Sequence, residues 1–93
     1  MKYAYPIVIT PIGNDYVVYV PNLEINTQGT SVADAMEMAR DAIGMWGCYE
    51  QDEKRPIPQP GNPTSIQASP ADIVTLVDVD FDAVSYTHLT LPT

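Results

Sequence analysis

Only one stretch of this chain repeats its apolar residues at helical spacing, and that limits the fold more than any other feature. Val32, Ala35, Met36, Ala39, Ala42, Ile43 and Trp46 fall along one stripe, while Asp34, Glu37, Arg40 and Asp41 take the other side. Thr30-Ser31 just before it supplies an N-cap, and Ser31 with Asp34 three positions on is an acidic variant of the capping-box spacing. A lone helix has nothing to bury its stripe against except what the rest of the chain provides. Gly44 and Gly47 weaken the second half of the helix, since each costs up to about 1 kcal/mol relative to alanine, and their expected use is the close approach of another backbone.

The remainder reads as strand. From Tyr3 to Thr10, Tyr3, Tyr5, Ile7 and Ile9 alternate with Ala4, Pro6 and Val8, and Pro6, which has no N–H to donate, places the strand at an edge there or pairs it only through its neighbours. Pro11-Ile12-Gly13-Asn14-Asp15 is a turn, Tyr16 to Val20 a second strand closed by Pro21-Asn22, and Leu23 to Gln28 a third, shorter strand before Gly29. After the helix come the charged residues Glu50 to Arg55. Pro56, Pro58, Pro60 and Pro63 then favour an extended, solvated connection. Ser69-Pro70-Ala71-Asp72 resembles a cap with a brief helical turn, and Ile73 to Phe81 returns to strand, with Val77, Val79 and Phe81 alternating against Asp78, Asp80 and Asp82. The expected class is α+β: a three-strand antiparallel meander, one main helix and a returning strand.

Ninety-three residues, 45% of them hydrophobic, enclose one modest core. Twelve acidic side chains against four basic ones give a formal net charge of −8, which repels a phosphate backbone and argues against direct nucleic-acid binding. The same charge steers a basic protein toward the chain, although a merely soluble acidic domain has the same composition. Cys48 is the only cysteine and His88 the only histidine, so neither an internal disulfide nor a zinc cluster is expected, and Cys48 reads as a packing residue. Lys2 precedes a short apolar stretch broken by Pro6 and Pro11, which is not the pattern of a secretory leader, and a cytoplasmic location is the expectation.

Chemistry has few places to reside. The lone histidine lies far along the chain from Cys48, and the glycines are scattered rather than gathered into a phosphate loop, so no cofactor is expected. Asp78, Asp80 and Asp82 on one strand face could hold a hard cation such as Mg²⁺, as a divalent-metal nuclease would require, but an alternating acidic strand also describes a solvated edge that discourages aggregation. Tyr16, Tyr19, Trp46 and Tyr49 are residue types that anchor interfaces, and equally types that pack cores.

Taken together, Tyr5-Pro6, Tyr16-Val17-Val18-Tyr19-Val20-Pro21-Asn22-Leu23, Thr27-Gln28-Gly29, the helix from Ser31 to Ile43, Pro56-Ile57-Pro58-Gln59-Pro60 and Val77-Asp78-Val79-Asp80 resemble the HicB antitoxin family. The resemblance runs from about Tyr3 to Asp82. It implies a partial ribonuclease-H-like fold without nuclease activity, and a domain that binds a small HicA-type toxin ribonuclease and covers its active site. Two departures stand out. Leu23-Glu24-Ile25-Asn26 replaces the Pro-Gly-Cys-like turn of many relatives, and the chain stops at Thr93 where members usually continue into a ribbon-helix-helix or helix-turn-helix DNA-binding domain, so operator binding is not carried over.

The expected organisation is a HicB-like domain over 1–84 and a tail over 85–93 that is a scar or a truncated remnant, with no role for His88. Tyr19, Glu24, Trp46 and Asp52 are the expected contact residues for the toxin, and exposed strand edges make self-association as a homodimer the expectation. The alternatives are the metal nuclease already named and a standalone regulatory oligomer without a toxin.

Overall fold

In the computed structural model, which describes residues 2–62, 66 and 68–81, a two-residue turn at Gly13-Asn14 sets the geometry of the sheet. Gly13 has φ +60°, a left-handed value at the first central position of the turn, as a type II′ hairpin requires. The turn joins β1 (Lys2–Ile12) to β2 (Asp15–Val20) and aligns Ile12 with Asp15 and Val8 with Tyr19. After a turn around Asn22, β3 (Ile25–Gly29) pairs antiparallel with β2. The helix α1 (Val32–Asp52) follows, and β4 (Ile73–Asp80) returns antiparallel to the far side of β1, giving the order β3-β2-β1-β4. The α+β class and the meander, helix and returning strand are as the sequence implies.

The prolines of β1 fit this ladder for a stereochemical reason. A two-residue hairpin makes its flanking residues a hydrogen-bonded pair, so even-numbered residues of β1 turn their N–H and C=O toward β2 and odd-numbered ones toward β4. Pro6 therefore directs its nitrogen to the β2 side, where pairing starts only at Val8. Pro11 directs its nitrogen to the β4 side, where pairing has ended at Ile9. β1 is an interior strand, but each proline stands where one flank is locally an edge.

The core forms between one face of the sheet and the helix. Tyr5, Ile7 and Ile9 of β1, Val18 and Val20 of β2, and Val77, Val79 and Phe81 meet Ala35, Ala39 and Ile43 of α1, all of them essentially inaccessible to water. Small helix residues let the backbones approach. Gly29 packs against the Ala35 backbone so closely that a Cβ there would collide with it. Gly47 yields its space to the Phe81 ring, so the close approach expected of it is made by a side chain and not by a backbone.

The helix ends are defined in detail. Ser31 Oγ accepts from the Asp34 N–H at 3.0 Å, and Asp34 Oδ2 accepts in return from the Thr30 N–H at 2.8 Å. At the other end the Lys54 N–H donates to Gln51 O and the Arg55 N–H to Glu50 O, a Schellman arrangement with Lys54 at φ +57° in the place usually held by glycine.

The proline segment is anchored, where the sequence suggests a solvated connection. The buried Tyr5 hydroxyl donates to Pro58 O, Ile57 packs against the core, and the Gly61 N–H donates to Asn22 Oδ1 at 3.1 Å. Ser69 and Asp72 close a turn before β4, with the Asp72 N–H donating to Ser69 O and the Ser69 N–H to Asp72 Oδ2. Asp82 and the tail 85–93 lie outside the described residues. No helix among the described residues is long and apolar enough to cross a membrane.

Candidate functional site

A helix packed on a sheet should be most polar along the crest facing away from it. Here the crest breaks that rule. Met38, Met45 and Tyr49, at spacings of seven and four, are 40%, 71% and 55% exposed, on the side opposite Ala39, Ile43 and Gly47. Asp41 and Asp52 lie beside them and are also exposed, so an apolar stripe runs along an acidic margin. The Arg55 guanidinium stacks 5.2 Å above the Tyr49 ring and pairs with Glu50 at 2.6 Å, fixing the ring at one end of the stripe.

The four expected contact residues do not fall on one surface. Asp52 ends α1 beside the stripe. Trp46 is half-buried and packs against the core at the flank of the same helix. Tyr19 alternates with the buried Val18 and Val20 and so points to the other face of the sheet. There it lines a groove of about 440 Å³ together with Val8, Thr10, Pro21, Asn22, Asn62 and Ile66. Glu24 is exposed in the turn before β3, at φ +53°. That left-handed value is one glycine takes freely, so Glu24 carries a conformation that side chains rarely adopt.

Met38 and Met45 were not among the expected contacts. The signal was present all the same, since both fall off the apolar stripe of the helix by about a third of a turn. Lys54 also shows no sequence signal, because nothing local distinguishes a lysine that will adopt φ > 0.

The aspartates of β4 are already engaged in part. Arg40 donates from Nε to Asp78 O at 3.1 Å and from Nη2 to Asp78 Oδ1 at 3.4 Å, while its Nη1 reaches Glu37 Oε2 at 3.0 Å. A carboxylate neutralised by a guanidinium is a poor ligand for a divalent cation. No group of three or more potential ligand side chains occurs among the described residues.

A four-stranded antiparallel sheet of order β3-β2-β1-β4, with one helix across one face, is the fold of HicB-type antitoxins. Three solved structures carry the likeness. A chain of a toxin–antitoxin complex from Streptococcus pneumoniae superposes with a TM-score of 0.81 at 17% identity, over 100% of this chain and 79% of that one. The antitoxin HicB of Burkholderia pseudomallei gives 0.75 at 22% identity, over 88% of this chain and 65% of its own length. A chain of a HicA3–HicB3 toxin–antitoxin complex gives 0.67 at 24% identity, over 83% and 98%. No family model and no curated protein matches the sequence.

Proposed function

We propose that this chain is the antitoxin of a toxin–antitoxin pair, a non-enzymatic acidic module that binds a HicA-type toxin ribonuclease in the cytoplasm and occludes its active site. The observation that carries the reading is the fold shared with chains of two toxin–antitoxin complexes, in one case over the whole chain. Charge supports it. A ribonuclease must attract phosphate and is therefore basic around its active site, and a cover bearing −8 complements such a surface.

The docking face in this reading is the helix crest, with Met38, Met45 and Tyr49 as the apolar centre and Asp41 and Asp52 as the acidic margin. Trp46 supports the stripe from its half-buried position. Tyr19 and Glu24 belong to a second contact on the other side of the sheet, engaged by a partner large enough to wrap the β2–β3 end.

The test is to mix the chain with a purified HicA-type toxin and to measure association by calorimetry and RNA cleavage by that toxin. The expected result is tight binding with loss of cleavage. Met45→Lys, a change on the most exposed residue of the crest, is expected to weaken binding by about tenfold or more while leaving the melting temperature near its starting value. Undiminished cleavage without association would overturn the reading.

A further inference from the structure

β4 is the outermost strand on its side of the sheet, and its outer edge is treated in two different ways along its length. By the ladder parity, its even-numbered residues turn their N–H and C=O away from β1. At Asp78 the outward carbonyl is taken by Arg40, which closes that half of the edge. At Val74 and Leu76 no further strand pairs on the outer side among the described residues. The side chains there are aliphatic, with Ile73, Val74 and Leu76 exposed by 38%, 40% and 47%. Soluble proteins normally protect such an edge with charge, proline or a bulge. β3, the opposite edge, is short, carries Asn26 and Gln28 on its outer face and is closed by the start of α1 over Gly29.

We propose that the Ile73–Val77 half of β4 pairs with the same strand of a second copy, antiparallel about a two-fold axis at Thr75. Two sheets then become one continuous sheet. In this register Thr75 faces the partner's Thr75 as a non-hydrogen-bonded pair, and Val74 and the partner's Leu76, both with outward backbone groups, exchange hydrogen bonds. Apolar side chains meet apolar ones: Val74 against the partner's Leu76, Ile73 against the partner's Val77. A register two residues shorter sets Leu76 against the partner's Asp72, and one two residues longer sets Val74 against the partner's Asp78.

Self-complementarity favours a second copy as the occupant, since the apolar positions of this strand fall opposite one another about Thr75. The next outward pair joins Asp78 to the partner's Asp72, and the Arg40 guanidinium already seated on Asp78 provides the cation between the two carboxylates at each end of the symmetric ladder. The ladder stops there, because the Asp78 carbonyl is occupied and the following position on the partner is Pro70, which has no N–H. The pairing does not use the helix crest, so it is independent of toxin binding.

The test uses the full chain without toxin. Sedimentation velocity over a concentration series is expected to show a reversible monomer–dimer equilibrium. Leu76→Lys is expected to raise the dimer dissociation constant by about tenfold or more while the far-UV spectrum is unchanged. Register is read directly by cysteines. In a non-hydrogen-bonded pair the Cα atoms lie within disulfide range, so Thr75→Cys is expected to form a covalent dimer on mild oxidation, and Val74→Cys to form far less. A chain that stays monomeric throughout, a dimer unaffected by Leu76→Lys, or preferential cross-linking through Val74→Cys would each overturn the proposal.

Discussion

Glu24 and Lys54 are the two non-glycine residues with positive φ among those described, and they carry different meanings. Lys54 occupies the position after the helix cap where a side chain is strained and serves no visible contact. Lys54→Gly is expected to raise stability by about 0.5–1 kcal/mol in urea unfolding. Glu24→Gly should bring a similar gain, and a simultaneous loss of toxin affinity would identify Glu24 as a contact that holds its strain for binding. Tyr5 offers a third measurement. Burial, with Tyr3 adding to it, pushes its phenol from 10.0 up to about 12. The neutral hydroxyl is the form that donates to Pro58 O, so its contribution is complete below about pH 10 and is lost as pH rises through 10 to 12. Tyr5→Phe should cost about 1 kcal/mol at neutral pH and remove that portion of the alkaline decline. None of these three roles was legible locally. A φ value and a bond spanning more than fifty residues of chain are properties of the assembled turn and core, not of the residues that carry them.

The elements themselves were largely legible, because their signals are periodic. The alternation of Val77, Val79 and Phe81 and the stripe through Ala35, Ala39 and Ile43 mark the buried faces that the structure shows. Ser31 was identified as the N-cap because its spacing to Asp34 has a mechanical reason, and Ser31→Ala should cost about 1 kcal/mol. The use of the prolines was harder to read. Pro6 suggested a local edge or pairing only through its neighbours, and it stands on an interior strand where one flank is locally an edge, since what matters is which flank its nitrogen faces and where the neighbouring strand stops. Gly47 shows the same limit. A glycine inside a helix signals close approach without saying of what, and the occupant is the Phe81 ring from a segment more than thirty residues away. Adding a methyl at Gly47 gains helix propensity of up to about 1 kcal/mol but drives into a ring that is fully buried and held edge-on by Tyr3 and Tyr5 at 6.0 and 6.2 Å. Overpacking in such a place costs about 1–3 kcal/mol, so Gly47→Ala should destabilise on balance, as thermal unfolding would report.

At the scale of the whole molecule, one property acts on both proposed associations with opposite sign. Each chain carries −8, so long-range forces pull a basic toxin toward it and push a second copy away. Raising the salt from about 0.05 to about 0.5 M shortens the screening length from about 14 to about 4 Å, which removes both long-range terms and leaves the short-range contacts nearly intact. Binding to the toxin should therefore weaken as salt rises, chiefly through a slower association rate, because charged margins act on encounter more than on the packed centre. Dimerisation through β4 should strengthen over the same range, since its apolar and backbone contacts persist while the repulsion between two acidic bodies fades. The two curves, measured by calorimetry with toxin and by sedimentation without it, are expected to run in opposite directions. Two curves falling together would mean that self-association depends on attraction between charges, and the backbone pairing at β4 would then be the wrong interface.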